Sequence, residues 1–478
     1  MVFSSPIFLF GFLPLVLLGY LLAGKSGRNV FLLIASLFFY AWGEPVFILL
    51  LLISIFANYV FALRLKPRVG ISSKTTLCAI VSINLGLLCL FKYMPFLAEN
   101  ALLVLSRSDT RIENTPYWLA NWPAMPIGIS FFTFQALSYV IDVSRGICPA
   151  QRNPVKLGLY ISMFPQLIAG PIVRYSEIRE QIDKRHWSLD AFSEGAMRFT
   201  LGLAKKILIA DTVARVADAF FSLSPGSLST PAAWLGVICF AIQIYYDFSG
   251  YSDMAIGMGR MFGFHYPENF NQPYIARNVR DFWRRWHMTL SRWFRDYLYI
   301  PLGGNRGPSW RVGLNLFVVF SLCGLWHGAS WTFLVWGLFH GGFLALERTA
   351  FGKALSSWPK AFQHAYLVFV VLISWVLFRC ESIADASHYL AVMFTFQAGD
   401  PSSSIAMHFG NDTLLALLAG ILFCTNLPKS FVVWFNAKIV LPSAFHEGAR
   451  ATSLVALFAL AVLSVASNSY SAFLYFRF

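Results

Sequence analysis

The stretch PVFILLLLISIFANYVFAL (45–63) decides the fold class: nineteen consecutive residues without an Asp, Glu, Lys or Arg. As an α-helix rising 1.5 Å per residue it reaches about 28 Å, close to the roughly 30 Å of a bilayer's hydrocarbon layer. Similar runs recur on both sides of it, at about 6–23, 30–42, 76–92, 125–143, 207–223, 232–246, 312–325, 328–346, 364–380, 413–428 and 452–467, most of them able to cross that layer alone or with thinning and support from neighbours. Of the 478 residues, 57% are hydrophobic and 13% charged, and the mean hydropathy is +0.60. In water such a chain would expose extensive apolar surface, which excludes disorder, collagen-like repeats and an ordinary cytosolic enzyme. The expected fold is all-α: a polytopic transmembrane helical bundle of about 11–13 membrane segments, with interfacial or re-entrant helices. Residues 1–478 read as one membrane domain, with N-terminal helices in 1–124, a polar centre in 125–346 and C-terminal helices in 347–478.

Charge sets the expected orientation. Lys and Arg outnumber Asp and Glu by 37 to 23, a net charge of +14. In a soluble protein that excess would point to nucleic acid; here it reads as basic cytoplasmic loops beside an anionic leaflet, or as a pocket for a phosphorylated ligand. Lys25 and Arg28 follow the first run, and Arg64, Lys66, Arg68 and Lys74 follow the third. With both loops inside, the N-terminus lies outside, in the periplasm, and so does the C-terminus. Arg145, Arg152 and Lys156 then face the cytoplasm, while Cys380 to Asp412, with four acids and no Lys or Arg, faces outward. Pro165, Gly170 and Pro171 interrupt 157–173, which is expected to be re-entrant; only then does 174–206 stay inside. The segment Pro6 to Ala23 has no basic leader and reads as a retained anchor. Seven cysteines without a C-x-x-C pair read as small buried hydrophobes, and no metal site is indicated.

Chemistry concentrates in the centre. Between Gly257 and Arg311 there are nine arginines against three acids. Asn278 to Ile300 has helical spacing, with Phe282, Trp286, Leu290, Trp293 and Leu298 on one side, and is expected to lie along the interface. Three readings of the arginines stay open: snorkelling side chains, an acidic-lipid site, or guanidinium groups that grip the phosphates of a cytosolic cofactor. Arg284, Arg285, Arg292 and Arg295 are the candidates for the last. His287, in RRWH (284–287), and His327, in LWHG (325–328), are ionisable groups in apolar surroundings, which usually serve a site or a pathway. His340, in LFHG (338–341), reads as structural, and the other six histidines lie in loops or near span ends. The cluster YYDFSGYSD (245–253) falls at the end of a run; Asp247, Ser249, Tyr251 and Asp253 fit a cap network, an ion pair to the arginines of 257–311 or a polar cavity wall. NFNQPY (269–274) reads as a turn, its amides, Asn271 among them, holding a loop or contacting a ligand. No glycine-rich phosphate loop, serine-nucleophile elbow or H-E-x-x-H helix is present.

The residues resemble the membrane-bound O-acyltransferases, most nearly their bacterial alginate O-acetylase group. The likeness rests on PIGISFFTFQALSYVIDV (126–143), FPQLIAGPIVR (164–174), YYDFSGYSDMAIG (245–257), NFNQPY (269–274), FWRRWHMTLSRWFRDYLYIPLGGNRG (282–307) and GLWHGASWTF (324–333), and extends to MVFSS (1–5) and SNSYSAFLYFRF (467–478). It implies a bundle around a funnel or tunnel, with an acyl thioester entering from the cytoplasm and the acceptor reached from the other side. It also implies that His327 matches the family's invariant histidine and His287 the second functional histidine of the exopolysaccharide and teichoic-acid branch. The two are 40 residues apart, so only the fold can bring them together.

The chemistry fits independently. A hydroxyl attacking a thioester must lose a proton, and an imidazole with an ordinary pKa near about 6.5 accepts it at neutral pH. His327 is therefore the expected general base. His287 orients the thioester, stabilises the oxyanion or moves the proton. The resemblance implies an inner-membrane O-acetyltransferase that takes acetyl from cytosolic acetyl-CoA for an extracytoplasmic polysaccharide, alginate or a related exopolysaccharide, through a periplasmic SGNH-type partner. No tightly bound cofactor and no nucleic acid are expected. Rival readings are transfer to peptidoglycan, D-alanylation of teichoic acid or another hydroxyl acceptor, and, in another class, a proton-coupled transporter.

Overall fold

The computed structural model describes residues 1–65, 70–106, 116–120, 122–224, 226–438 and 442–467. Lys66, Arg68 and the motif residues 468–478 lie outside the described residues. Among the described residues the chain is helix and turn with no strand, and each of the twelve apolar runs coincides with a helix. Five helices, Ser73–Leu105, Thr230–Met261, Ser309–His327, Lys360–Arg379 and Phe445–Ser467, are long and apolar enough to cross a membrane. Shorter apolar helices at Ile7–Leu22, Ile48–Arg64, Trp331–Leu346 and Asn411–Phe423 accompany them. The protein is an all-α, multi-pass membrane protein.

The helix Thr230–Met261 organises the rest. Ser229 caps it by accepting from the Ala232 N–H at 3.4 Å, and Pro231 sits in its first turn, where no N–H is needed. Its 32 residues extend about 48 Å, well beyond the hydrocarbon layer. The half from Ala232 to Tyr246 packs into one apolar core with 367–378 and 386–393, and the half from Phe248 onward packs into a second core with the N-terminal helices and 129–182.

Three expectations change here. The run 207–223 is the end of a longer rod, Leu189–Ala204, a π turn at Lys205–Ala210 and Asp211–Phe221. Residues 245–253 lie inside the long helix rather than at its end. The charges that lowered hydropathy in both places neutralise one another: between the two helices Asp253 meets Arg198 at 2.8 Å and Lys205 at 2.5 Å and Lys206 meets Asp247 at 2.8 Å, and within the rod Lys206 also meets Asp211 at 2.6 Å. Finally, 278–300 is not one interfacial helix. It is Val279–Trp283, a break at Arg284 to His287, Met288–Phe294 and a π turn at Arg295–Tyr299. A smaller correction concerns the cysteines. All seven are free, but Cys78 and Cys89 are exposed and Cys380 is half-buried.

The two ends of 157–173 lie side by side on one face of the bundle. Lys156 pairs with Asp183 at 2.5 Å, and Gln151, before the segment, donates to the Tyr175 hydroxyl, after it, at 2.7 Å. Between them the helix Pro154–Ser162 stops after nine residues, at Met163. The same face gathers most of the basic loops: Arg185 donates to Asn29 at 2.7 Å and to Tyr20 at 2.9 Å, Tyr59 to the Arg152 carbonyl at 2.8 Å, and Arg174 pairs with Asp296 at 2.8 Å. At the far end of the long helix, Thr230 joins the acidic connection by donating to the Gln397 and Val392 carbonyls at 2.9 and 2.7 Å.

Candidate active site

His327 ends the helix Ser309–His327, and Gly328 to Ser330 turn the chain into Trp331–Leu346, whose first N–H groups Ser330 caps by accepting from Phe333 at 3.4 Å. The two helices meet backbone to backbone. A Cβ on Gly337 would stand 2.2 Å from the Phe320 carbonyl oxygen, so only glycine lets the helices approach this closely. That contact seats the His327 imidazole, 2% exposed, among Trp326, Trp336 and Phe378, with ring centres 5.0, 5.2 and 5.4 Å away.

His287 is held by its backbone and by one amide. Its φ of 41° and ψ of 55° put it in the left-handed region, a conformation that costs a non-glycine residue roughly 1–3 kcal/mol and persists where the surroundings enforce it. Asn269 enforces it. The Thr289 N–H, which can only donate, meets Asn269 Oδ1 at 3.3 Å, and the Thr289 hydroxyl donates to the same oxygen at 2.9 Å. His287 Nδ1 lies 3.0 Å from that oxygen and therefore carries the proton. In the neutral ring Nε2 is then a lone-pair acceptor; it is buried and has no hydrogen-bond partner among the described residues. Phe248, from the long helix, closes edge-on against the ring at 4.6 Å.

The fold brings the two histidines to one indole. Trp326 lies 6.1 Å from His287 and 5.0 Å from His327, ring centre to ring centre. Trp326 belongs to one apolar core and Trp336, on the other side of His327, to the second, so the histidines occupy the seam between them. A third imidazole, His340, shares Trp336 at 5.0 Å and accepts from the Trp283 indole N–H at 3.3 Å.

Two cavities approach this centre. One of 1420 Å³ runs between the rod 189–221, the long helix and the helices Asn411–Phe423 and Ser443–Ser467; Ser249, Asp253, Asn269 and Asn271 line it, with leucines at 201, 415 and 460. Asn269 thus faces this cavity and His287 at once. The other, of 210 Å³, has Arg280, Arg284 and Arg295 in its wall and Trp283, Phe320 and Cys323 as apolar lining. Through Trp283 it touches His340.

The remaining sequence candidates fall in different places. Asp247 is 1% exposed and paired with Lys206, and Tyr251 stacks on Phe3 at 4.4 Å; neither lines the large cavity. Asp253 borders the cavity but is tied to Arg198 and Lys205. Arg285 bonds Asp281 at 3.0 Å and the Asn271 carbonyl at 3.3 Å, and Arg292 stands 3.8 Å from Glu177. Arg295 bonds Asp296 at 2.6 Å. Burial alone would raise the Asp296 carboxyl, but the bonds from Arg295 and Arg174 outweigh it and hold that carboxyl below its ordinary range. Arg284 makes no ion pair among the described residues.

Sequence reasoning had Asn269 only as one of the turn amides of 269–274 and put its weight on Asn271, and it missed Trp326 and the pair Lys92-Tyr93. The Lys92 ammonium donates to the Trp326 carbonyl and, at 3.3 Å, to the Ser130 hydroxyl; Tyr93 donates to the Leu325 carbonyl at 2.9 Å. A lone lysine in the run CLFKYMPFL (89–97) was the available signal, because an ionisable group inside an apolar span is costly unless something receives it. Nothing local distinguished Asn269 from Asn271.

Against known proteins, residues 100–384 match the sequence profile of MBOAT, the membrane-bound O-acyltransferase family. The chain is 40% identical to a probable alginate O-acetylase of Pseudomonas putida and 39% identical to one of Azotobacter vinelandii, each over the full length of both chains. It is 34% identical to a peptidoglycan O-acetyltransferase of Helicobacter pylori, over all of this chain and 98% of the other.

Proposed function

The chain belongs to the membrane-bound O-acyltransferase family and is an O-acyltransferase, and from that premise we propose that it moves acetyl from cytosolic acetyl-CoA to a polysaccharide hydroxyl beyond the inner membrane. The observation that carries the reading is the convergence of His287 and His327 on Trp326. Alginate or a related exopolysaccharide is the acceptor, reached through a periplasmic SGNH-type partner; the two alginate O-acetylase relatives support this choice. The basic face is cytoplasmic and the N-terminus periplasmic, in keeping with the excess of Lys and Arg in the loops that face gathers.

Acetyl-CoA's phosphates bind at the basic face, where Arg284 and its neighbours Arg280 and Arg295 offer paired, charge-assisted hydrogen bonds. The thioester reaches the seam, and the acceptor hydroxyl attacks its carbonyl carbon. His327 takes the hydroxyl proton as the C–O bond forms; the C–S bond then breaks and the thiolate leaves. The tautomer set by Asn269 narrows the role of His287. With Nδ1–H committed to Asn269, a neutral His287 accepts at Nε2 and has no proton there to give an oxyanion, which favours orienting a donor group or receiving the proton over oxyanion stabilisation. Peptidoglycan is the second acceptor class, favoured by the full-length similarity to the peptidoglycan enzyme.

The test is His327→Ala in native membranes, measuring transfer of radiolabelled acetyl from acetyl-CoA to alginate and, in parallel, to peptidoglycan. Loss of transfer with undiminished insertion is expected. Native transfer rates in the variant would overturn the assignment of the base, and transfer to peptidoglycan alone would replace the acceptor.

A further inference from the structure

We propose that Lys92 and Tyr93 are positioning residues: together they cap the C-terminus of the helix that carries His327 and so fix its imidazole. This rests on His327 acting as the base. The last carbonyls of any helix lack intrahelical N–H partners, and together they form the negative end of its dipole. In Ser309–His327 two of those carbonyls, Leu325 and Trp326, are satisfied by adjacent residues of another helix, through the Tyr93 hydroxyl at 2.9 Å and the Lys92 ammonium.

The source helix is built to make this possible. In a regular α-helix successive side chains point about 100° apart, so neighbours rarely address the same target. Here Cys89–Tyr93 is a π turn, which shifts the register where the two side chains must reach one helix end. Lys92 is 7% exposed, deep among apolar residues, and makes no ion pair with a carboxylate among the described residues. Its counter-charge is the helix terminus itself, supplemented by Ser130 and by the Trp326 ring, 5.8 Å from the ammonium. The same residue, Trp326, therefore meets Lys92 through its carbonyl and both histidines through its indole. A shift of that turn moves the His327 ring and the indole between the histidines at the same time.

The experiment compares the full chain, in native membranes, with Lys92→Met, Lys92→Arg, Tyr93→Phe and His327→Ala. Steady-state transfer of acetyl from acetyl-CoA to alginate gives kcat and KM per inserted molecule. Because a base displaced by about 1 Å can lose about 100-fold in rate, Lys92→Met is expected to lower kcat by about that factor. KM for acetyl-CoA should stay within about threefold, since the group removed touches no donor atom. Lys92→Arg, which keeps charge and donors, should recover kcat to within about tenfold of native, and Tyr93→Phe should lower it by about three- to tenfold. Native kcat in Lys92→Met, or no recovery with Arg, overturns the proposal. If Lys92→Met does not accumulate, Tyr93→Phe, which removes a single hydroxyl, decides the matter: unchanged kcat overturns it. Activity in His327→Ala would instead remove the base assignment, an outcome distinct from a failure at Lys92.

Discussion

Asn269 offers the sharpest test of how the site is held. Its side chain makes four bonds: Oδ1 accepts from His287 Nδ1, the Thr289 N–H and the Thr289 hydroxyl, and Nδ2 donates to the Ser252 hydroxyl at 3.0 Å. At about 1 kcal/mol net per bond, Asn269→Ala costs about 4 kcal/mol if nothing replaces them, and the buried donors would cost more if left dry. They are not left dry, because Asn269 borders the 1420 Å³ cavity and water can follow the truncation. The stability loss should therefore lie near 2–4 kcal/mol, roughly, and a folded variant should be recoverable. Activity should suffer more. Without the amide oxygen the imidazole turns freely and exchanges tautomers, presenting an N–H in place of the Nε2 lone pair for part of the time. Loss of such positioning is expected to lower kcat by about 10²–10³, or about 3–4 kcal/mol of barrier. Asn269→Asp, which keeps the acceptor, should stay within about tenfold of native. The decisive comparison is the double variant Asn269→Ala with His287→Ala. Because Asn269 acts through His287, the double variant should transfer acetyl no more slowly than His287→Ala alone. Additive losses, or native kcat in Asn269→Ala beside an inactive His287→Ala, would refute the reasoning.

Other expectations follow from the same geometry. If 157–173 enters and leaves through one face, thiols introduced by Asn153→Cys and Lys184→Cys in a chain freed of its own cysteines should react with an impermeant maleimide from the same side of sealed vesicles. Labelling from opposite sides would contradict the re-entrant path. If Arg284 grips a donor phosphate, Arg284→Ala should raise KM for acetyl-CoA about tenfold with kcat nearly unchanged, whereas a fall in kcat at constant KM would give that residue another role. The Asp296 carboxyl, held below its ordinary range, contributes stability that is fully present above the unfolded value near about 3.9 and is lost as pH falls through the folded one. Asp296→Asn should accordingly lower the thermal midpoint at pH near 7 and match the native protein once both are well below about pH 4; a difference that persists in acid would assign the loss to packing.

The sequence carried the class of fold and singled out the two buried histidines more readily than the shape between them. Apolar runs of membrane length report helices because lipid leaves the backbone no other way to satisfy its polar groups. The same logic failed at 189–206, read as part of a cytoplasmic stretch, and at 247–261, where the charges of 245–253 were read as the end of a run. Arg198 and Lys205 on one helix share Asp253 on the next, and Lys206 sits between Asp247 there and Asp211 on its own helix; a residue-by-residue hydropathy count cannot show that two distant stretches neutralise each other. The histidines were legible because a buried ionisable group is conspicuous alone. Asn269 was not, because an amide in a turn is ordinary until the fold sets it 3.0 Å from an imidazole. Lys92 carried the same signal as the histidines, but its partner is a helix end, which has no residue type.

The pairing of those two helices bears on the site as well as the fold. A Cβ on Gly202 would stand 2.5 Å from the Gly250 carbonyl oxygen, so the rod 189–221 and the long helix touch through backbone. A slide by one turn, about 5.4 Å, would bring Tyr246 or Met254 to that contact in place of Gly250, and would separate Asp253 from Arg198 and Lys206 from Asp247, leaving the Asp247 carboxylate buried without that partner. Register is thereby fixed on one side of the long helix. Its Phe248 packs against His287 and its Ser252 accepts from Asn269. The paired charges at Asp247 and Asp253 thus reach the candidate site by a mechanical route: they hold in register the helix that supports His287 and the amide that sets its tautomer.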